Sequence, residues 1–379
     1  ERLAVCAVMA GSRPAHFRLA VAAAEGVMET AFGLHGVHAT TQGASPVVVV
    51  GGPARHECKV NMQHGVAGSG HRANSTVCRA VKLALQSVGG AVLGGTESST
   101  IGNPSKYGLC LAEWEERCPA WEPLRVDDRT GLGPEDSSVT VLSAVTGPVQ
   151  VMDGSSADML LENLATMLKT AINPGTLFCN CCLLVVAPEH YDTLLASGVT
   201  SKADLRQRLW DKCLFQRGDK KPLPKWNTPE SLHVIVAGSG AGKFSAFFPG
   251  FGQGKPDAVG SFASAPITKR VDAATAIPAE LAPLPGDDLL VDPRPGRKAQ
   301  LKLALRGGSL EDGAVVGLLD ISKYRSDDFL DALERLIKAE RPGVTLRRYK
   351  KATMTRPCQA EVREQIEKEC SHVIAALAD

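Results

Sequence analysis

Residues that could bind a carboxylate cluster in one glycine-rich turn, residues 68–74 (GSGHRAN). Backbone N–H groups of such a turn and a guanidinium can together hold an anion. We therefore predict Gly70, Arg72 and Asn74, with the nearby Asn61, as substrate-binding residues. The alternative is structural: Asn74 caps a helix, and Arg72 pairs with a buried acid.

A second stretch, residues 104–116 (PSKYGLCLAEWEE), combines a lysine and a tyrosine with acidic residues. Carboxylates of Glu113 and Glu116 would share one face of a helix, as acid/base or metal chemistry can require. We predict Lys106 and Tyr107 as pocket residues and Glu113 as the acid/base. A solvated acidic face is the alternative, and general experience favours it.

Thiols and histidines give weaker signals. Cys358 stands where a helix is predicted to begin, so it is a candidate reactive thiol, although a lone cysteine there is more often inert. The group Cys179, Cys181 and Cys182 lacks CxxC spacing, and the histidines crowded into residues 35–71 lack the spacing of a zinc site. No metal site is predicted.

A glycine-rich run, residues 238–243 (GSGAGK), follows a predicted strand and suggests a phosphate cradle. It departs from the nucleotide-binding loop, because Ala237 stands where the first glycine belongs and Phe244 where a serine or threonine should follow the lysine. Lys243 likewise occupies the third glycine position of the dinucleotide fingerprint. We predict a plain glycine turn and no nucleotide cofactor.

Composition narrows the class of protein. Lysine and arginine total 42 of the 379 residues and acidic residues total 41, so a net charge of +1 disfavours nucleic acid and anionic membranes as partners. Eleven cysteines, mostly single, indicate reduced thiols and a cytoplasmic protein. The chain begins at Glu1, so an organelle location after removal of a targeting peptide is the alternative.

Hydrophobic periodicity predicts an α/β protein with parallel, Rossmann- or flavodoxin-like sheets. Three domains are expected, residues 1–145, 146–285 and 286–379, with a proline- and glycine-rich linker at 277–297. The last domain ends on a predicted strand, residues 372–377, and therefore looks truncated. Exposed strand edges there favour a homo-oligomer. Further strands are predicted at 46–52, 183–187, 232–237, 314–319 and 345–349, and helices at 74–85, 158–170, 202–213, 327–339 and 359–370.

Several blocks resemble the UGSC-family (seleno)proteins, in the order that the family has them. They are HGVHATT (35–41), GSGHRAN (68–74), PSKYGLCLAEWEE (104–116), WEPL (121–124), APEH (187–190), LHVIVAGSGAG (232–242) and residues 314–320. His190, in the APEH block, joins the predicted substrate-binding residues.

The resemblance implies a redox centre. In the family, the strand that matches residues 372–377 is followed by an acidic residue and then by selenocysteine or cysteine, glycine, serine and cysteine. Asp379 matches the acidic residue, so the motif is expected after it. The family's carboxy-terminal part is similar to the selenoprotein subunits of glycine and proline reductases, where a selenolate or activated thiolate attacks and a second chalcogen resolves the adduct.

Two functions remain open at this stage. One is a thiol- or selenol-dependent oxidoreductase that acts on a small polar, carboxylate-bearing substrate. The other is a non-catalytic binding or assembly subunit that scaffolds a redox partner protein. Fold resemblance alone does not decide between them.

Overall fold

A computed structural model describes residues 1–145, 147–171, 181–215, 223–224, 228–252, 264–272, 310–322, 326–351 and 358–376. The chain divides into two compact units, Glu1–Ala279 and Glu280–Asp379. The helices are α1 (Arg2–Ala10), α2 (Pro14–Met28), α3 (Leu34–Ala39), α4 (Ala54–Glu57), α5 (Arg72–Ser87), α6 (Leu124–Asp127), α7 (Ala157–Ala171), α8 (Pro188–Ala196), α9 (Lys202–Lys212), α10 (Ser326–Glu340) and α11 (Ala360–Glu369). Short 3-10 helices are η1 (Thr30–Phe32), η2 (Pro104–Tyr107), η3 (Glu115–Arg117) and η4 (Pro229–Ser231).

The strands are β1 (Ser45–Gly51), β2 (Leu109–Ala112), β3 (Ser138–Ala144), β4 (Val149–Met152), β5 (Cys182–Val186), β6 (Leu214–Phe215), β7 (Leu223–Pro224), β8 (Leu232–Val236), β9 (Phe244–Phe248), β10 (Ile267–Arg270), β11 (Val315–Asp320), β12 (Thr345–Lys350) and β13 (His372–Ala376). β6 and β7 pair only with each other, in antiparallel orientation.

The first unit contains two mixed four-stranded sheets. In the first sheet, ordered β10-β3-β1-β2, β1 runs parallel to β2 and antiparallel to β3. In the second, ordered β4-β9-β5-β8, β5 runs parallel to β8 and antiparallel to β9. Each sheet thus has a parallel pair at one edge and antiparallel pairing among its other strands.

Alternation of side chains along the buried strands sets the layers. Val48 and Val50 of β1 pack on one side with α2 and α5, whereas Val47 and Val49 join a core shared with Leu183 and other residues of the second sheet. The opposite face of the second sheet packs against α7, α8 and α9. Because successive strand residues point to opposite faces, the first unit has four layers, helices, sheet, sheet and helices.

The second unit contains a three-stranded parallel sheet, ordered β12-β11-β13. Val316 and Leu318 of β11 pack with Leu330 of α10, and Leu319 packs with Ile366 of α11 in a separate cluster. Helices therefore cover both faces, as a parallel sheet requires.

The predicted α/β class is confirmed, with one correction. The sheets of the first unit are mixed and not purely parallel, because β3, β4, β9 and β10 run antiparallel to their neighbours. β10, at residues 267–270, pairs with β3. Independent domains at 1–145 and 146–285 stay a prediction, and the predicted linker 277–297 lies largely outside the described residues.

The glycine-rich run 238–243 leads from β8 directly into β9, so no helix start is available to hold a phosphate. The Gly242 N–H is donated to the Glu189 carboxylate at 2.8 Å. The structure corrects the phosphate-cradle alternative and fits the predicted glycine turn.

Candidate functional site

A cavity of about 480 Å³ lies beside the second half of α5, where the loop before β2 returns to the helix. Its charged and hydroxyl-bearing lining residues are Arg79, Lys82, Glu97, Ser99, Lys106 and Tyr107. The last two sit in η2, whose first turn is held by the Asn103 side chain, which accepts a hydrogen bond from Ser105 N at 2.7 Å. The structure therefore brings the predicted Lys106 and Tyr107 to one cavity.

Gly108 sets the distance between η2 and α5. Its φ is +114°, and a Cβ built there would lie 2.5 Å from the backbone nitrogen of Arg79. Only glycine fits so close an approach with that backbone conformation. This position therefore fixes how closely the Lys106 segment approaches the helix that carries Lys82.

Lys82 is a buried lysine without a counter-ion among the described residues. Its side chain is on the inner side of α5 and only 2% of the residue is exposed. No described residue forms a hydrogen bond or an ion pair with its Nζ. Burial, and then repulsion from the Lys106 charge, lowers the pKa of Lys82 to about 8.

Glu97 organises the opposite wall. Both of its carboxylate oxygens lie 2.8 Å from Lys106 Nζ, and Oε1 also accepts a hydrogen bond from Ser99 Oγ at 2.7 Å. Burial alone would raise the pKa of Glu97, but hydrogen bonds from Lys106, Ser99 and His38 outweigh it and lower the pKa to about 2. Glu97 is thus ionised at neutral pH, and its charge is balanced by the ammonium of Lys106.

His38 completes the cluster from α3. Its Nδ1 lies 3.2 Å from Glu97 Oε2, while its Nε2 is buried and has no partner among the described residues. Burial, followed by the charge of Lys82, lowers the pKa of His38. The ring is therefore neutral at neutral pH and adds no positive charge.

The charges that line the cavity leave Lys82 and Arg79 without an ion pair among the described residues. Lys106 and Glu97 neutralise each other, so an external anion is needed to balance the Lys82 charge. With a pKa of about 8, roughly nine-tenths of Lys82 is protonated at pH 7 and about a tenth is a free amine. The arrangement suits the binding of a small anion such as a carboxylate, and the free-amine fraction is large enough for proton transfer.

The comparisons with known proteins concern the second unit. Residues 289–379 match the model of the UGSC family. The predicted resemblance to the UGSC family is confirmed for this segment. No curated protein and no solved structure gives a significant match to the chain. Similarity to glycine or proline reductase subunits therefore stays a proposal.

The UGSC segment holds two half-buried thiols in its described part. Cys358 lies two residues before α11 and packs against Leu319, Tyr349 and Ile366. Cys370, at the other end of α11, has its Sγ 3.3 Å from the Tyr349 hydroxyl. The predicted reactivity of Cys358 stays a prediction.

The predicted carboxylate clamp lies away from the cavity. Arg72 is the first residue of α5, is exposed, and forms no ion pair with a described carboxylate, so it is not held by a structural acid. Gly70 lies in the exposed turn before it. Neither residue lines the cavity, and Arg72 remains available to a ligand at the helix start.

Asn74 does not cap α5, because the helix begins at Arg72 and Asn74 lies within it. Its side chain accepts a hydrogen bond from Asn61 N at 2.8 Å and donates to Asn61 O at 2.9 Å and to Cys110 O at 3.1 Å. Asn61 in turn donates through Nδ2 to His64 O. These hydrogen bonds tie residues 61–66 and β2 to α5. They also satisfy the polar groups of Asn61 and Asn74 within the protein.

Glu113 and Glu116 do not share a helical face, which corrects the prediction. Glu113 follows β2, is 1% exposed, and lies 2.6 Å from Lys202 Nζ, while its other oxygen accepts from Leu124 N. Burial raises the pKa of Glu113. Glu116 is bound by Arg55 and His56. Glu113 therefore joins a buried ion pair that links two parts of the first unit.

His190 is also enclosed by the protein. Its Nδ1 lies 2.7 Å from Ser245 Oγ and its Nε2 lies 2.8 Å from Asp153 O. The residue is 1% exposed. Both ring nitrogens are used, so the contacts connect α8 with β9 and leave no atom for a substrate.

Sequence reasoning missed Lys82, Glu97 and His38. A signal for Lys82 was present: Cys78, Lys82 and Leu85 follow helical spacing, so the lysine falls on the buried face of α5. Glu97 lies in a loop without periodicity, and only the fold brings it to Lys106.

Among the residues that the structure describes, no group of three or more histidine, cysteine or acidic side chains is arranged to hold a metal ion. No described helix is long and apolar enough to cross a bilayer.

Proposed function

We propose that this chain is a thiol- or selenol-dependent oxidoreductase that reduces a small polar, carboxylate-bearing substrate. The match of residues 289–379 to the UGSC family carries this proposal. The first unit binds the substrate, and the UGSC segment belongs to the redox half of the reaction. In this proposal the family's tetrapeptide, selenocysteine or cysteine, glycine, serine and cysteine, follows Asp379.

The cavity beside α5 supports the substrate class. Lys82 is a buried ammonium without a counter-ion among the described residues, and a carboxylate is the simplest group that would balance it. Lys106 is paired with Glu97 and therefore holds the cavity wall in place. It is not the residue that binds the substrate carboxylate. We therefore assign the anchor to Lys82, with Tyr107, which is 75% exposed, at the mouth.

The thiols of the first unit support a division of roles. Burial raises the pKa of Cys78 to about 11 and of Cys118 to about 12, and it also raises the pKa values of Cys58 and Cys110. Thiols with such pKa values are poor nucleophiles at neutral pH. A nucleophile outside this unit is therefore part of the proposal.

The proposed reaction is a two-electron reduction that cleaves one substrate bond. The chalcogen anion attacks one atom of that bond and displaces the other as the leaving group, which takes a proton from solvent. The neighbouring cysteine thiol then breaks the chalcogen–substrate bond, a selenenyl sulfide or disulfide forms, and the released product takes the thiol proton. An external dithiol then regenerates the pair. A redox partner protein would supply that dithiol in the cell.

A second candidate is the non-catalytic binding or assembly subunit. The raised pKa values of Cys58, Cys78, Cys110 and Cys118 favour it, because these four thiols of the unit with the binding cavity are poor nucleophiles. In that case a partner protein would carry the redox centre.

The test is to sequence the transcript beyond codon 379 and to assay the longest natural chain for substrate-dependent oxidation of dithiothreitol with a panel of small carboxylates. We expect the tetrapeptide in frame, turnover that is lost when its first residue is replaced by serine, and a raised KM in Lys82→Met. An in-frame sequence without a chalcogen pair, or turnover unaffected by the serine replacement, would refute the oxidoreductase and favour the binding subunit.

A further inference from the structure

A second cavity, of about 630 Å³, lies in the first unit where α6, α9, η4, β8 and β10 meet. Its charged lining residues are Asp127, Asp128, Arg129, Arg206, Glu230 and His233. None of them belongs to the cavity beside α5. The two cavities are therefore separate sites.

His233 is the buried polar group of this cavity. It is 5% exposed, and its Nδ1 lies 2.7 Å from Asp128 Oδ2. Its Nε2 is buried and has no hydrogen-bond partner among the described residues. Asp128 accepts a hydrogen bond from Nδ1–H, and in that tautomer the Nε2 lone pair is left to accept.

Pairing within the cavity leaves one charge of each sign. Arg206 is bound by both oxygens of Asp127, and Asp128 is taken by His233. Arg129 and Glu230 form no ion pair with a described residue, and both are exposed. Hydrogen bonding within its own turn and with Thr228, and then the charges of Arg206 and Arg129, lower the pKa of Glu230. The cavity thus presents one guanidinium and one carboxylate outside the ion pairs of its described residues, and one buried acceptor.

The backbone holds Arg129 in an uncommon conformation. Its φ is +54°, in the left-handed region that a bulky side chain seldom adopts. The turn is fixed by Arg129 N, which donates to Val126 O at 3.0 Å. The side chain therefore leaves this turn at a defined position on the cavity wall.

We propose that this cavity binds a small zwitterion of the α-amino acid class. The ligand carboxylate pairs with Arg129, and its ammonium donates to His233 Nε2 and faces Glu230. A simple anion would offer no positive charge to Glu230 and no donor to His233 Nε2. A simple cation would leave Arg129 unpaired. The proposal goes beyond the proposed function, because it concerns a different cavity.

The probes are L-alanine, its N,N,N-trimethyl derivative and propionate, titrated into the 379-residue chain by calorimetry. L-alanine should bind at least tenfold more tightly than the other two, because the trimethyl derivative keeps both charges and lacks the N–H donor, and propionate lacks the ammonium. The ¹⁵N and Hε1 resonances of His233 should shift during the L-alanine titration. Equal affinity for the three probes, or a His233 signal that does not move, would overturn the proposal.

Two variants locate the site. His233→Asn keeps an N–H for Asp128 and removes Nε2, and Arg129→Asn suits the left-handed turn and removes the charge. Each should weaken L-alanine binding at least tenfold. Lys82→Met removes the proposed carboxylate anchor of the other cavity and should leave the His233 shift in the L-alanine titration unchanged. Loss of that shift in Lys82→Met alone would assign L-alanine to the cavity beside α5 and would refute the second site. That result would leave the proposed function intact.

Discussion

Replacing Lys82 by methionine should stabilise the protein, which is the reverse of the usual result for a buried residue. Methionine keeps the length of the side chain and removes an ammonium that has no counter-ion among the described residues. A pKa lowered from 10.5 to about 8 corresponds to a burial cost of roughly 3 kcal/mol for the charged form. We expect Lys82→Met to raise the free energy of unfolding at pH 7 by up to about that amount.

The pH dependence gives the stricter test. The folded pKa of Lys82 lies below its unfolded value, so between pH 8 and pH 10.5 the unfolded chain binds more protons and the stability of the native protein rises with pH. Below pH 8 Lys82 is protonated in both the folded and the unfolded chain, so the full cost of burying the charge applies. At pH 9.5 the cost falls to about 1 kcal/mol, so the advantage of the variant should shrink by about 2 kcal/mol.

The assay is urea unfolding of both proteins at pH 7 and pH 9.5, because the difference between them cancels other titrating groups. Lys202→Met is the matched control. It also removes a buried ammonium, but it takes away the counter-ion of the Glu113 carboxylate, 2.6 Å from it, and should destabilise the protein by about 3 to 5 kcal/mol. A destabilised Lys82→Met, or a gain equal at the two pH values, would refute the assignment of Lys82 as an unpaired ammonium.

Three further outcomes are expected. Iodoacetamide at pH 7.5 should label Cys370 in the native protein before Cys118, because burial raises the pKa of Cys118 to about 12. Mass spectrometry of the peptides gives the order of labelling, and early labelling of Cys118 would contradict this prediction. Gly108→Ala should destabilise the protein by about 1 to 3 kcal/mol and weaken anion binding. Gly90→Ala is the control: Gly90 also has a positive φ, but no atom lies within 4 Å of the added Cβ, so it should lower the stability less and leave binding unchanged. Equal effects of the two variants would show that the contact with α5 is unimportant. Asn74→Ala should lower the free energy of unfolding in urea by about 2 to 3 kcal/mol, because it strands buried backbone groups; a neutral change would exclude its bracing role.

The fold class and most element positions could be predicted from the sequence, because they depend on local periodicity. The run Val47–Val50 is β-branched and fully buried, and it forms the strand that its composition indicates. The antiparallel placement of β3 could not be predicted. It depends on pairing between residues 45–51 and 138–144, which no local pattern encodes.

The candidate site could be predicted only in part. Lys106 and Tyr107 were identified from a short stretch, and the structure brings them to a cavity. The roles of Glu113 and His190 stay predictions. The sequence did not indicate their partners, Lys202 and Ser245, which lie 89 and 55 residues away. Buried ion pairs between distant segments are set by tertiary packing, so spacing along the chain cannot distinguish them from catalytic groups.

The most direct test of the account is the pKa of Lys82 itself, measured by NMR of ¹³Cε-labelled lysine with and without acetate. We predict a pKa of about 8 in the free protein, with Lys82→Met identifying the resonance. Saturating acetate should raise it by at least one unit, since an anion bound to the ammonium favours the protonated form. A pKa near the ordinary value of 10.5 that does not respond to acetate would contradict the central claim that the ammonium of Lys82 binds a carboxylate in this cavity.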